Sequence, residues 1–349
     1  MSFEDGQSNF WLQRRVLVTG GAGFIGSALV WGLNRLGCTS VVIADMPGLR
    51  EKRPNLAPLQ FSEYVEADVL RSRLSSGSLG KFDCVFHLGA CSSTTETDEA
   101  YLYRNNFEFS RDLAEWALAS GVRFVYASSA ATYGDGSAGM EDDDPGSLEH
   151  LRPLNPYGRS KHMMDLEAWR RGWLDHIVGL KYFNVFGPNE DHKGDMRSVV
   201  RKSYDQVAES GVIRLFKSYR PEYANGRQMR DFLYVKDAVD MTLHLGAHPD
   251  AHGIFNIGFG EAHAWNELAG AVFAALGRES RIEYIEMPET IRDRYQYFTQ
   301  ANIGKLRATG YETKLTPLHD AVRDYVVNYL VAGNSLGDEQ PTNGAGSKL

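Results

Sequence analysis

Apolar positions along the chain follow two alternating rhythms. Short β-rich runs, "RVLVTG" (15–20), "SVVIAD" (40–45), "FDCVFHLGA" (82–90), "RFVYASSA" (123–130) and "IVGLKYFNVFG" (177–187), are hydrophobic almost without interruption. Strands that are covered on both faces read this way. Between them lie longer, helix-compatible stretches such as "SALVWGLNRLG" (27–37) and "SRDLAEWALASG" (110–121). The alternation predicts βαβ units and an α/β fold with a doubly wound parallel sheet of the Rossmann type. In such sheets ligands bind beyond the carboxyl ends of the strands. The residues that follow each run are therefore where chemistry is expected.

Past Gly187 the rhythm becomes irregular, until "RDFLYVKDAVDMTLHLG" (230–246) and "GIFNIGFG" (253–260) restore strand and helix signals. The expected division is a dinucleotide-binding domain from 14–187 and 231–258, with a smaller α/β substrate lobe from 188–230 and 259–332. The ends, 1–13 and 333–349, are expected to be flexible. The tail "AGNSLGDEQPTNGAGSKL" is rich in Gly, Ser, Asn and Pro, a composition too poor in apolar surface to order itself.

Composition narrows the classes. A chain of 349 residues with 43% apolar and 23% charged residues has the make-up of a soluble globular protein. A net charge of −8 argues against a nucleic-acid partner, which calls for a clustered basic excess. Cys38, Cys84 and Cys91 are odd in number and lack CxxC or zinc spacing, so a reducing compartment is expected. The N-terminus has no apolar signal core and no run of about 18 apolar residues occurs. The expectation is a cytoplasmic protein without a membrane partner. His87 and His192 stand in no metal-ligand constellation, and no metal is assigned.

"RVLVTGGAGFIGSALVWGL" (15–33) sets Gly20, Gly23 and Gly26 between a strand and a helix. The first glycine permits the tight turn, the second lets backbone N–H groups approach a pyrophosphate, and the third lets helix and strand pack closely. Asp45, at the end of the second strand, stands where a ribose hydroxyl would be held. Alone it favours NAD, yet Arg50, Lys52 and Arg53 follow and can neutralise a 2′-phosphate. NADP is the preferred cofactor of this reading, with NAD admitted. Phe24 and Ile25 between the glycines, and further along Asp68, Gly89, Ala90 and Asn105, complete the expected cofactor wall.

"NPYGRSKHMMD" (155–165) carries Tyr157 and Lys161 at i, i+4, one helical turn apart, after a proline that marks a helix start. A phenol is a poor base near neutral pH unless a cation stabilises its anion, and a lysine one turn on can supply that charge. Ser128 and Ser129 end the preceding strand. Their hydroxyls can hold a substrate oxygen, or serve only as a turn or helix cap.

The glycine loop, the serine strand end and Tyr-x-x-x-Lys, in this order, resemble the extended short-chain dehydrogenase/reductases that act as nucleotide-sugar epimerases and dehydratases. The resemblance covers about residues 14 to 330. "HLGACSSTTETD", "YASSAATYG", "YFNVFGPNEDHKGDM", "RDFLYV" and "RYQYFTQA" are more closely similar to the ADP-L-glycero-D-manno-heptose 6-epimerases. That resemblance implies an ADP-heptose substrate, inversion at carbon 6 for lipopolysaccharide core heptose, preference for NADP, and a homo-oligomer, a homopentamer in that family. It also implies Tyr157 and Lys193 as two acid/base groups serving opposite orientations of the sugar tip, Ser129 as the group orienting the substrate oxygen, and Lys161 as partner of cofactor and phenolate.

Lys193 lies among Glu190, Asp191 and Asp195. If they face it, they make it a poorer base; if it is tucked in and they turn outward, desolvation makes it a better one. Sequence leaves both arrangements open. Asn184, His192, Arg230, Arg294 and Tyr295 are further expected substrate contacts, the arginines for a diphosphate or for salt bridges to Asp231 and Asp293. Cys91 reads as a packing residue. The resemblance weakens at "ADMPGLREKR" (44–53), where the family has Asp-Asn followed by a lysine. Competing readings are a UDP-hexose 4-epimerase, a dehydratase, and a non-catalytic dinucleotide-binding scaffold. The small residues of "SSAATYG" (128–134) supply no extra acid/base group for eliminating water.

Overall fold

A computed structural model of the chain describes residues 10–338, apart from 49, 293 and 294. Seven strands, β1 (Val16–Thr19), β2 (Val41–Asp45), β3 (Glu63–Glu66), β4 (Cys84–His87), β5 (Arg123–Ser129), β6 (Val178–Tyr182) and β10 (Gly253–Ile257), form one sheet in the order β10-β6-β5-β4-β1-β2-β3. All of its pairings are parallel. Val16 and Val18 belong to the apolar cluster on one face and Leu17 to the cluster on the other. That two-sided burial is why the strand sequences read as unbroken apolar runs. The strand order reverses between β1 and β4, which opens a crevice at their carboxyl ends.

Beside this sheet, β7 (Asn184–Phe186), β9 (Met229–Tyr234) and β11 (Ala262–Ala264) form a three-stranded sheet, and β8 (Ile213–Phe216) pairs with β12 (Ile282–Ile285). Asp231–Tyr234, which the sequence division gave to the dinucleotide domain, therefore pair outside the main sheet. The strand carries the right apolar pattern, but pattern alone does not name its neighbours. Among the described residues no helix is long and apolar enough to cross a membrane.

Part of each expected flexible end is packed. Trp11 is fully buried against Phe86, ring centroids 5.6 Å apart, and Leu336 is fully buried in the same cluster. One large apolar side chain anchors a polar stretch whose average composition hides it. Residues 1–9 and 339–349 lie outside the described residues.

Candidate active site

A cleft of about 520 Å³ lies over the ends of β1, β2, β4 and β5. Gly20 adopts φ +67° and donates its N–H to Ala44 O (2.7 Å), while Gly23 donates to Gly20 O (3.0 Å). A Cβ at position 26 would stand 2.0 Å from Gly20 O, so only glycine fits where the helix crosses the loop. The Phe24–Arg35 helix begins there without a side-chain cap. Its free N–H groups and positive dipole end suit a pyrophosphate.

Asp45 ties this loop together. Its carboxylate accepts from Ala22 N (3.0 Å), Met46 N (2.8 Å) and Lys52 Nζ (2.6 Å). Lys52 lines the cleft, whereas Arg50 and Arg53 are exposed and outside it. Asp68 is likewise exposed, on the outer side of the Ala67–Ser75 helix. From that helix Arg71 turns inward instead, with Nη2 donating to Asn105 Oδ1 (2.9 Å) and its guanidinium 4.2 Å over Phe109. Its sequence context carries no signal beyond helical periodicity three residues after Asp68. Gly89, Ala90 and Asn105 line the cleft. Asn105 lies in a widened helical turn, Tyr103–Glu108. In the same turn, fully buried Asn106 bonds Cys91 N (2.8 Å), Cys91 O (2.9 Å) and Ser160 Oγ (3.0 Å), a structural role that sequence reading missed. Burial raises the Cys91 thiol, which keeps it protonated and in its packing role.

Asn155 caps the Pro156–Arg170 helix by accepting from Gly158 N (2.7 Å), so Tyr157 falls in its first turn and Lys161 one turn on. Tyr157, Lys161, Ser129 and Lys193 all face the one cleft. Burial pushes the Tyr157 phenol up, opposed by a hydrogen bond with Ser129. Lys161 is buried, and desolvation lowers its ammonium to about 8, opposed by Asp165. Ser128 donates to Asp165 Oδ2 (2.7 Å). Tyr126 OH donates to Asp165 Oδ1 (3.0 Å), and Lys181 on β6 pairs with the same carboxylate at 3.5 Å. Asp165 thus fastens the helix of Tyr157 and Lys161 to the strand of Ser129.

The acidic neighbours of Lys193 are held in different ways. Asp191 pairs with Arg201 at 2.6 Å, and Asp195 is exposed. Glu190 is fully buried, accepting from Ser198 N and Oγ (2.5 Å each) at the start of the Val199–Ser210 helix. Lys193 Nζ lies 4.8 Å over the Phe24 ring. Desolvation lowers its pKa, partly opposed by the Glu190 charge. His192 sits with Lys52 and Asp45, at the end of the cleft expected to take the adenosine, and Asn55 Nδ2 approaches its Nδ1 at 3.2 Å. Burial, then the Lys52 and Lys193 cations, push its imidazole down to about 4, so it is neutral near pH 7.

A sequence profile of the NAD dependent epimerase/dehydratase family matches residues 16–258. The chain belongs to this family. The ADP-L-glycero-D-manno-heptose-6-epimerase of Nitratidesulfovibrio vulgaris (strain Hildenborough) is 51% identical over 319 residues, 91% of this chain and 98% of that protein. The crystal structure of the Helicobacter pylori ADP-L-glycero-D-manno-heptose-6-epimerase matches with TM-score 0.73 at 26% identity, covering 91% of this chain and 96% of that one. The UDP-glucose 4-epimerase of Thermus thermophilus, in complex with NAD, matches with TM-score 0.69 at 27% identity, covering 89% and 97%. As a member of an NAD dependent family the chain takes a nicotinamide dinucleotide, and its uncapped helix start, glycine crossing and Asp45 fit that group.

In this epimerase/dehydratase chain the expected substrate contacts disperse. Arg230 is buried, donating to Met229 O (2.9 Å) and Gln296 O and stacked 5.1 Å over Tyr295. Its fork is thus committed to backbone carbonyls and an aromatic face. Asp231, the salt-bridge alternative for Arg230, instead accepts from Phe259 N (2.6 Å), Gly260 N (2.9 Å) and Ala301 N (2.9 Å). Tyr295 borders a second cavity of about 710 Å³ together with Arg220, Tyr223 and Tyr297. Asn184 is exposed on β7, accepting from Thr299 Oγ1 (3.4 Å), and does not line the cleft. Arg294 lies outside the described residues.

Proposed function

We propose that this enzyme interconverts ADP-D-glycero- and ADP-L-glycero-D-manno-heptose by inverting carbon 6, supplying heptose for the lipopolysaccharide core. What supports this reading is that Tyr157 and Lys193, two groups able to carry a proton, are brought by separate elements to one cleft. A nicotinamide dinucleotide held by the Gly20–Gly26 loop and Asp45 would supply the hydride acceptor and donor for oxidation at carbon 6 and its return to the opposite face. Inversion then requires the sugar tip to present each face in turn, and each presentation needs its own proton donor or acceptor. Burial raises the Tyr157 phenol and lowers the Lys193 ammonium, which eases loss of a proton from Lys193. Lys161, still cationic near neutral pH with a pKa of about 8, lowers the cost of a tyrosinate. Ser129 orients the substrate oxygen beside the phenol.

The same reading assigns NADP as the preferred cofactor with NAD tolerated. Lys52 neutralises Asp45 at 2.6 Å, which removes the charge that would repel a 2′-phosphate. The ADP end of the substrate takes the cavity bordered by Tyr295 and Arg220. The enzyme works in the cytoplasm as a homo-oligomer, a homopentamer by family resemblance, and residues 14–187 with most of 231–258 form its dinucleotide domain. Against a dehydratase, Ala130, Ala131 and Thr132 after the serines supply no acid/base group.

The test is Lys193→Met, which keeps an unbranched stem without the amine. Inversion of both ADP-heptose diastereomers is expected to fall at least about a hundredfold, with cofactor affinity intact. Dismutation of a truncated aldehyde analogue, which needs no inversion, is expected to persist through Tyr157. A wild-type inversion rate in this variant would make "NEDHKGDM" a solvated loop and sink the reading.

A further inference from the structure

The loop that carries Lys193 is gripped from a distant part of the chain. Asn189, four residues before it, is the only non-glycine with positive φ among the described residues (φ 75°). Such a conformation is uncommon and persists when its surroundings hold it. Three contacts do so. Asn189 Nδ2 donates to Ser27 Oγ (3.0 Å) in the helix after the phosphate loop; Asn189 O accepts from Asn55 Nδ2 (3.1 Å); and Asn189 Oδ1 accepts from Leu336 N (3.1 Å).

The third contact comes from the C-terminal segment. Leu336 is fully buried in the core cluster that holds Phe24, Leu56 and Leu59. One residue after Asn189, buried Glu190 accepts from Tyr325 OH (3.1 Å). Tyr325 stands at the start of the widened helical segment Tyr325–Val331, which runs toward Leu336. Lys193 in turn donates its own N–H to Glu190 O (3.1 Å). Two consecutive residues of the loop are therefore held by one C-terminal segment, and the second of them is bonded directly to the backbone of Lys193.

We infer that residues 325–338 form a strap that positions Lys193, with Tyr325 and Leu336 as positioning residues acting through Glu190 and Asn189. This deepens the proposed function and rests on Lys193 being the second proton carrier. The loop itself is rich in turn formers and charges, with no apolar residue between Pro188 and Met196. It has no core of its own to hold its shape, so the fixed geometry that proton transfer demands must come from outside it. The strap supplies an apolar anchor at Leu336, a hydrogen bond to the strained residue, and a hydroxyl that shares the buried Glu190 carboxylate with Ser198.

The test uses full-length Tyr325→Phe, which keeps the ring and loses only the hydroxyl, and Leu336→Ala, which loses the anchor. Each is assayed for inversion, truncated-aldehyde dismutation and cofactor affinity, alone and combined with Lys193→Met. Inversion is expected to fall about tenfold or more, with dismutation and cofactor affinity within about twofold. On the Lys193→Met background neither change is expected to lower the residual inversion further, because the group they position is already gone. Parallel losses in both reactions, or the same fold-loss with and without Lys193, would overturn the strap as a positioning device. The Lys193→Met single variant separately reports on the proton-carrier role, so the two failures are distinguishable.

Discussion

Replacing Asp165 with asparagine separates the electrostatic role of the buried network from its mechanical one. The carboxylate is fully buried and faces Lys181 at 3.5 Å, Ser128 at 2.7 Å and Tyr126 at 3.0 Å. Removing one partner of a buried ion pair costs about 3–5 kcal/mol, because the remaining charge is stranded. The same carboxylate is the group that opposes the desolvation of Lys161. At a separation of about 6 Å, one helical turn, and an effective dielectric of about 20, a unit charge is worth about 3 kcal/mol. Lys181 is present in both enzymes and does not enter the difference, which corresponds to about two pH units in the protonation equilibrium of Lys161. If catalysis needs Lys161 charged, the alkaline limb of kcat should move from about pH 8 to about pH 6, so the variant is weak at about pH 7 to 8 and recovers only as pH falls below about 6. Adding Lys181→Met removes the stranded cation and should restore thermal stability without restoring the limb. Steady-state kinetics from pH 5.5 to 9, beside thermal melts of both variants, decide the matter. A folded Asp165→Asn enzyme whose alkaline limb coincides with wild type would refute the electrostatic role.

Lys52→Ala removes the cation that faces Asp45 at 2.6 Å; NADP affinity should fall about tenfold, one lost charge-assisted hydrogen bond, while NAD affinity holds. Fluorescence titration with both cofactors checks it, and equal losses would mean that Lys52 does not read the 2′-phosphate. His87 is bonded through both ring nitrogens, to Thr19 Oγ1 and Ser110 Oγ at 2.7 Å each, and burial lowers its pKa from 6.5 to about 3. Its folded pKa lies below its unfolded one, so the stability of the neutral ring is present above about pH 6.5 and is lost as pH falls toward 3, on the order of 5 kcal/mol in all. His87→Gln should therefore melt well below wild type at pH 7 and close that gap by pH 4; a gap that stays constant with pH would contradict the assignment.

Local sequence contains the parts of this protein that are themselves local. The glycine spacing around Gly23, the Tyr157–Lys161 turn behind its Asn155 cap and the two-sided apolar strands are each set within a few residues by turn sterics, helical period and pleat. They could be read in order along the chain, and the cofactor cleft followed because crevices in doubly wound sheets form at strand ends. Residues that act across the fold could not be read in this way. Arg53 and Asp68 had suitable chemistry but stand on the outer sides of their helices, while Arg71, one turn from Asp68, faces in. Arg230 looked free to bind phosphate until the fold offered its fork two backbone carbonyls and Tyr295. His192 lies in the cleft within reach of both the Lys52 and Lys193 charges. The setting of Lys193 was open in the sequence because three carboxylates can face a lysine or turn from it. The choice was made by Arg201, Ser198, Tyr325 and Leu336, which are 5 to 143 positions away, and by the burial that only assembled packing produces. Charge and hydrogen-bonding capacity are properties of a residue; direction, desolvation and partner are properties of the folded chain.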